Sequence, residues 1–295
     1  MPRLHLVDAS LYVFRAWHSL PADLTGADGW PVNAVHGFAR FLLELLERER
    51  PTHVAVAFDE SLESSFRNRI YPAYKANREP APKELKRQFG QCQQLAAALG
   101  LVVLKDARYE ADDLIGTLLS RQRAQGFAGV IVSADKDLSQ LLGPSDQQWD
   151  YARDLRWDAA GTKARHGVHA HQIADYLGLA GDAVDNIPGV PGIGNKTAAA
   201  LLEHFGSLDA LLARVDELPF LRLRGAAAHA ARLREHRAQA LMSRELATIA
   251  LDAPLPEGIG DAARRQVDTT RLDEVFETVR IGPMTRRRAL AQAGS

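Results

Sequence analysis

Short apolar runs alternate with longer amphipathic stretches over the first half of the chain. The runs are LHLVDAS from Leu4, THVAVAFD from Thr52, LVVLKDA from Leu101 and GVIVSAD from Gly129. Runs of this length are typical of strands buried in a parallel or mixed sheet. In NAVHGFARFLLELLERER, apolar residues recur on one helical face, and Pro51 ends the pattern. The alternation predicts an α/β layer architecture.

The pattern changes near Trp157. From there to about Leu251, Ala, Leu, His and Arg dominate and strand-like runs stop. We therefore expect two domains, an α/β domain over residues 1–158 and a helical domain over residues 159–295.

Acidic residues stand at the ends of the predicted strands. Three of the four runs end in aspartate, and the third leads to the acid-rich motif YEADDLIGTLL. Ligands of open α/β sheets bind beyond the carboxyl ends of the strands, so these carboxylates are expected to meet at one edge. Carboxylates held close together repel one another, so a group of them indicates a bound cation. For the acids at 110–113 the alternative is a place in the first turn of a helix, where the helix dipole favours negative charge. The carboxylates concerned are Asp8, Asp59, Glu110, Asp112, Asp113, Asp135 and Asp137.

A basic segment lies between the second and third runs. From Arg67 to Arg87 the sequence has seven Lys or Arg against two Glu, with Tyr71 and Tyr74 among them. Cations that hold phosphates, interleaved with rings that stack on bases, suit single-stranded nucleic acid. The alternative is a solvated charged helix with tyrosines that pack in the ordinary way.

A glycine-rich stretch, GDAVDNIPGVPGIGNKTAAALLEHFG, follows in the second half. Asp182 and Asp185 are spaced so that one helical turn would present both on the same face. The glycines predict a tight turn into a helix beginning near Asn195, whose exposed N–H groups can bind phosphate. A plain turn between two packed helices is the alternative, and the spacing does not match a Walker loop. The residues of this predicted phosphate site are Gly189, Gly192, Gly194, Lys196 and Thr197.

Cysteine content and the absence of targeting signals indicate the cellular compartment of the protein. Cys92 is the only cysteine, so the chain can form no internal disulfide, which agrees with a reducing compartment. The first residues do not read as a signal peptide, and no apolar span is long enough to cross a bilayer. We expect a cytoplasmic protein with no membrane partner.

Taken together, the motifs resemble the 5′-nuclease superfamily, and most closely the 5′→3′ exonuclease domain of bacterial DNA polymerase I. The likeness runs from about Leu4 to Leu255 through PVNAVHGFARFLLELL, FDESLESSFRNRIYPAYKANR, YEADDLIGTLL, SADKDLSQLL and the glycine-rich stretch. It implies a PIN-like α/β catalytic domain with a central, mostly parallel sheet and a helical arch at about 62–90. It also implies a helical DNA-binding domain with a helix–hairpin–helix at about 182–205. No polymerase or proofreading domain follows Ser295, so we expect a standalone nuclease or an excised fragment.

The resemblance also implies site residues. Two divalent ions, Mg²⁺ or Mn²⁺, would be held by the seven carboxylates above together with Asp182 and Asp185. Lys75 and Arg78 match the cations that activate the phosphate, and Tyr74 matches an aromatic that stacks on a terminal base. Arg67 and Tyr71 would contact DNA from the arch, while the glycine hairpin would grip the duplex backbone, with K⁺ as a candidate ion there.

The expected function is therefore structure-specific hydrolysis of DNA by two metal ions, as a 5′→3′ exonuclease or 5′-flap endonuclease. The expected partners are branched or 5′-ended duplex DNA and, as a further substrate, an RNA primer strand, bound by a monomer. The main alternative is a catalytically weak, structure-specific DNA-binding protein. A dehalogenase-type phosphomonoesterase would need a second aspartate where Ser10 stands, and PIN-type ribonucleases generally lack the arch and hairpin.

Overall fold

The computed structural model describes residues 1–60 and 64–294 and divides into two units. Parallel strands form the sheet of the first unit. The first unit comprises Met1–Ser61, Pro80–Ser133 and Ala250–Ser295, and the second comprises Leu62–Glu79 and Ala134–Ile249. Residues 62 and 63 of the predicted arch, and residue 295 of the predicted second domain, lie outside the described residues. The units do not follow a single cut in the chain, and the assignment of functions to 1–158 and 159–295 stays a prediction.

In the first unit, β1 pairs in parallel with β2 on one side and with β4 on the other, and β3 lies beyond β2. The strands are β1 Arg3–Asp8, β2 His53–Asp59, β3 Val102–Asp106 and β4 Ala128–Val132. The helices of this unit are α1 Ala9–Ser19, α2 Asn33–Glu49, α4 Lys83–Ala98, α5 Ala111–Arg123, α12 Thr269–Thr278 and α13 Pro283–Ala291. Each predicted strand is confirmed within a few residues, and so is the helix that ends before Pro51.

Burial explains why the strands read as unbroken apolar runs. Every residue of β1 after Arg3 is buried, as expected for a parallel strand covered on both faces. On α4, the buried side chain of Gln88 accepts a hydrogen bond of 2.7 Å from the Ala34 N–H at the start of α2. This bond satisfies one of the orphan donors at that helix terminus.

The second unit is mainly helical and also contains an antiparallel strand pair. Its elements are α3 Arg67–Ile70, β5 Gln147–Asp150, β6 Leu155–Trp157, α6 Ala159–His166, α7 Ile173–Ala180, α8 Asn195–Phe205, α9 Leu208–Ala213, α10 Ala226–Glu235 and α11 Arg237–Ala247. Leu177, Leu201 and Leu246 belong to its apolar core, which also takes in Tyr74. Among the described residues, no helix has both the length and the apolar character that crossing a membrane requires.

Candidate metal and DNA-binding sites

Asp8 stands where β1 ends and α1 begins. Its Oδ1 accepts a hydrogen bond of 3.3 Å from the Leu11 N–H, which caps the helix, and its Oδ2 accepts one of 2.9 Å from the Ser133 hydroxyl. Ser133 follows β4, the neighbouring strand, so the carboxyl ends of β1 and β4 are joined through this carboxylate. Asp8 is thus fixed at the edge of the sheet where the sequence placed it.

Asp59 at the end of β2 connects that strand to the acid-rich motif. Its backbone N–H donates to Ser10 Oγ at 3.0 Å, and its Oδ1 accepts from the Ala111 N–H, the first residue of α5, at 2.8 Å. A carboxylate at a helix N-terminus is stabilised by the N–H groups and by the helix dipole. The structure therefore brings the acids of β1, β2 and α5 to one edge within the first unit.

The cluster at 110–113 has a structural task in addition to its expected one. Glu110 and Asp113 form a capping box, in which the Asp113 carboxylate accepts the Glu110 N–H at 3.0 Å. Asp113 is fully buried, and its Oδ1 also accepts the Ala250 N–H at 2.8 Å. Asp112, between them and half-buried, is the acid of the motif that takes no part in this box.

Asp182 and Asp185 lie in a turn and not on a helix, so the predicted helical turn is wrong. The turn is closed by paired backbone hydrogen bonds of 2.9 and 2.8 Å between Asp182 and Ile187. Asp182 Oδ1 accepts the Val184 N–H at 2.7 Å, and Asn186 adopts a left-handed conformation with φ +56°. Local bonding from an aspartate side chain favours such turns over a helix.

Lys136 supplies the cation beside the acids of the second unit. Its ammonium forms ion pairs with Asp182 and, at 3.6 Å, with Asp137. Burial, the largest single effect, acts to raise the pKa of Asp182, but the hydrogen bond and charge of Lys136, together with the backbone N–H groups of Val184 and Asp185, outweigh it and lower that pKa. For Asp137, burial and the neighbouring Asp135 carboxylate prevail over Lys136 and raise its pKa to about 8. Sequence reasoning missed Lys136, whose only signal was its position between two acids in SADKD.

The predicted phosphate-binding cations contact Asp185. Lys75 Nζ lies 3.6 Å from its Oδ2, the Arg78 guanidinium pairs with its Oδ1, and the Tyr74 hydroxyl donates to Oδ2 at 3.3 Å. The Lys75 N–H also donates to the Asp185 carbonyl at 2.9 Å. The Tyr74 ring is only 3% exposed and belongs to the apolar core of the unit. The structure therefore groups Tyr74, Lys75 and Arg78 around one carboxylate.

Arg67 and Tyr71, predicted to contact DNA, have packing roles in this unit. Arg67 is 3% exposed, and its guanidinium donates to the carbonyls of Leu246 at 2.7 Å and Thr248 at 2.9 Å, at the end of α11. Tyr71 is half-buried and packs against the apolar core. Their predicted contacts with DNA stay predictions.

The glycine hairpin has the predicted form, and α8 begins at Asn195. Gly189 and Gly192 have φ of +60° and +75°, a conformation that L side chains rarely adopt. Gly194, Asn195 and Lys196 are exposed at the start of α8, and Thr197 is half-buried. Sequence reasoning missed Arg232 on α10, whose Nη1 donates to the Gly192 carbonyl at 3.3 Å.

Within residues 1–60 and 64–294, no group of three or more His, Cys, Asp or Glu side chains is arranged so as to hold a metal ion. Several of the predicted carboxylates are instead engaged with donors of the protein, among them Asp8, Asp59, Asp113, Asp182 and Asp185. The predicted ligand set therefore stays a prediction.

Two family models match the chain in succession. The model described as 5′-3′ exonuclease, N-terminal resolvase-like domain, matches residues 3–167, and the one described as 5′-3′ exonuclease, C-terminal SAM fold, matches residues 168–270. DNA polymerase I of Rhizobium leguminosarum is 37% identical over 295 residues, which are 98% of this chain and 28% of that protein. DNA polymerase I of Bacillus caldotenax is 38% identical over 279 residues, 93% of this chain and 31% of that protein. The chain thus spans about three tenths of the length of these curated relatives.

The fold is also similar to that of a solved nuclease. A structure of T5 5′-exonuclease with bound zinc matches with a TM-score of 0.67 and 20% identity, over 94% of this chain and 99% of that chain. At this identity the likeness is one of fold, and it confirms the predicted α/β catalytic fold with a helical second domain.

Proposed function

Because the chain belongs to the 5′-3′ exonuclease family, we propose that it is a structure-specific 5′→3′ exonuclease and 5′-flap endonuclease that hydrolyses DNA phosphodiester bonds with two divalent metal ions. The observation that carries the proposal is the bond of 2.8 Å from the Ala111 N–H to Asp59. It joins the acid-rich start of α5 to the end of β2, beside Asp8 at the end of β1. Fixed carboxylates at the carboxyl ends of parallel strands form the common ligand edge of such folds.

The donor set fits hard divalent cations. The predicted ligands in both units are carboxylates, the oxygen donors that suit Mg²⁺ and Mn²⁺. In the second unit, the buried Asp137 Oδ1 has no hydrogen-bond partner among the described residues, and the single Lys136 ammonium offsets only part of the negative charge that Asp137 and Asp182 can carry. When bound, the ions would supply a nucleophilic hydroxide and neutralise the charge that develops on the phosphate. We infer that the holding residues are Asp8, Asp59, Glu110, Asp112, Asp113, Asp135, Asp137, Asp182 and Asp185.

Lys75 and Arg78 would bind the scissile phosphate. Both contact Asp185, so an anionic phosphate would compete with that carboxylate for them. Arg78 is exposed and offers the planar fork of N–H groups that suits phosphate oxygens. Tyr74 has a buried ring and a hydroxyl bonded to Asp185, which supports a role in positioning these cations besides the predicted stacking.

The second unit would bind the duplex through its glycine hairpin. The exposed N–H groups at the start of α8, with Lys196 and Thr197, suit phosphate and carry no base readout. We therefore expect recognition of 5′ ends, flaps and junctions regardless of sequence. The enzyme would act as a monomer in the cytoplasm, on DNA strands and on RNA primer strands.

The test is cleavage of a flap duplex carrying a fluorescent label on its 5′ strand, with Mg²⁺ and with EDTA. Asp112→Asn removes one negative charge and leaves the capping box of Glu110 and Asp113 in place. We expect kcat/KM to fall by about 100-fold or more, because a metal ligand contributes several kcal/mol of charge stabilisation. Asp252→Asn, which changes an exposed acid of the same unit, is the matched control and should cleave like wild type.

Two further substrates extend the same assay. A duplex with a 5′ end and no flap distinguishes exonuclease from endonuclease action. A flap duplex whose 5′ strand is RNA tests whether the enzyme also cleaves RNA primer strands. Tight binding of the flap without cleavage in Mg²⁺ or Mn²⁺ would contradict the proposal and indicate the alternative, a DNA-structure binder.

A further inference from the structure

The carbonyl groups of the glycine hairpin accept hydrogen bonds from the protein itself. The Gly189 carbonyl accepts from the Gln239 amide at 2.7 Å, and the Val190 carbonyl accepts from the Ile193 N–H at 3.0 Å. The Gly192 carbonyl accepts from Arg232 Nη1 at 3.3 Å. Of these three donors, Arg232 is the one that carries a charge.

Arg232 lies directly on the Gly192 backbone. A Cβ added to Gly192 would come within 2.1 Å of Nη1 and 2.6 Å of Cζ, so the guanidinium fills the space that a side chain would need. This guanidinium stays protonated at any physiological pH and has N–H donors beyond the one used here. The hairpin therefore has a permanent positive charge fixed to one of its carbonyl groups.

A potassium ion at the hairpin, expected from the family resemblance, would be held by carbonyl oxygens, and three carbonyls of the hairpin already accept hydrogen bonds from the protein. The arrangement does not fit that expectation, because a protein cation already lies on the Gly192 carbonyl. We propose that Arg232 is the resident cation of the hairpin, so that binding of a DNA phosphate at the start of α8 needs no monovalent metal ion. The inference rests on the proposed function, since it concerns the DNA that the hairpin binds.

The charge of Arg232 is expected to be coupled to the affinity of the hairpin for DNA. A phosphate at the N-terminus of α8 is attracted by the helix N–H groups and by nearby cations. Arg232 adds to this attraction regardless of which monovalent cation the buffer contains. A dissolved ion would add to the attraction only when it is bound at the hairpin. Removal of the Arg232 charge should weaken DNA binding and make it depend on the monovalent cation in the buffer.

The experiment measures Kd for a fluorescent flap duplex by anisotropy, in EDTA so that no DNA is cleaved. Buffers contain KCl or tetramethylammonium chloride at equal ionic strength. Wild type should bind with Kd values within about twofold of each other, because counterion release depends mainly on total salt. Arg232→Gln should bind about tenfold more weakly in tetramethylammonium, as expected for a lost phosphate-directed charge, and KCl should restore part of the affinity.

Two variants control for charge and folding. Arg234→Gln removes an exposed arginine of the same helix whose partner is Asp216, and it should bind like wild type in both salts. Arg232→Lys keeps the charge and should stay independent of potassium. Thermal melts of each variant identify any loss of folding.

The outcomes separate this inference from the proposed function. Wild-type affinity that collapses without K⁺, or Arg232→Gln that behaves like Arg234→Gln, overturns the inference and leaves the nuclease proposal standing. No binding of DNA by wild type in either salt would contradict the proposed function and the inference with it.

Discussion

Arg67 shows how a single residue can differ from what its sequence neighbourhood predicts. It lies in a basic segment, yet its guanidinium is buried and donates to the carbonyls of Leu246 and Thr248. The last carbonyls of a helix have no partner within the helix, and Arg67 supplies donors to that end of α11. Its position indicates a contribution to the stability of the second unit.

Arg67→Ala should therefore lower the free energy of unfolding by about 3 kcal/mol, because two charged hydrogen bonds are lost and the carbonyl of the buried Leu246 is left without this donor. Arg69→Ala, which removes an exposed arginine of the same short helix, should change it by no more than about 0.5 kcal/mol. Urea unfolding followed by circular dichroism measures both. An Arg67→Ala protein with the wild-type urea midpoint and weakened DNA binding would support the sequence prediction over the structural role.

The same limit on sequence reasoning applies to Lys136. Charged side chains are exposed by default, and a sequence does not tell which of them will be placed beside acids from a distant segment. Asp182 is 46 positions away from Lys136, so the ion pair exists only after folding. Acids at strand ends were predictable because the strand pattern itself places them at one edge.

At the scale of elements, the hairpin before α8 depends on glycine to different degrees along its length. At Gly189, φ is +60° and an added Cβ would lie 2.3 Å from the Gly181 backbone nitrogen. Gly194 has an extended conformation with φ −92°, and an added Cβ would meet nothing within 4 Å. The two positions form a matched pair on one turn.

Gly189→Ala should destabilise the protein by about 3 kcal/mol, the sum of left-handed strain and overpacking against backbone. Gly194→Ala should change the free energy of unfolding by less than about 1 kcal/mol, since an N-cap alanine is only mildly unfavourable. Thermal or urea unfolding of both variants measures this difference in stability. Equal stability of the two variants would show that the turn can adjust at Gly189.

Elements with a strong pattern were predictable, and short polar ones were not. Long apolar runs identified β1 to β4, whereas QQWD in β5 and LRW in β6 are too short and polar to stand out. The spacing of Asp182 and Asp185 fits a helix and a turn equally well. Hydrogen bonds from the Asp182 side chain favour the turn, and spacing alone does not reveal them.

For the whole molecule, a net charge of −1 conceals a local excess of acids that a cation must balance. The family resemblance read from the motifs is confirmed by family models over residues 3–270. The resemblance could not show that Lys136 pairs with Asp137 and Asp182. Under the proposed function, the same carboxylates would link the stability of the protein to metal binding.

Lys136→Met should accordingly lower the thermal midpoint in EDTA, because the repulsion between the carboxylates is no longer offset. Mg²⁺ should then raise the midpoint of this variant more than that of wild type, since a ligand that binds the folded state stabilises it. Lys163→Met, which breaks an exposed pair with Glu203 in the same unit, is the control and should respond like wild type. Scanning calorimetry with EDTA and with Mg²⁺ provides the measurement. A Mg²⁺ response that is identical in all three proteins would contradict the link.

The division of the first unit among separate segments has a consequence for how the chain is made. Asp113 accepts the Ala250 N–H, the Arg265 N–H donates to Gly100, and the Asp268 N–H donates to Ala98. These bonds join α4, the turn after it and α5 to the segment that begins at Ala250, which is synthesised after the second unit. Part of the hydrogen bonding of the nascent first unit is therefore unmade until the segment that begins at Ala250 leaves the exit tunnel. During that interval the second unit, complete at Ile249, is free to fold first.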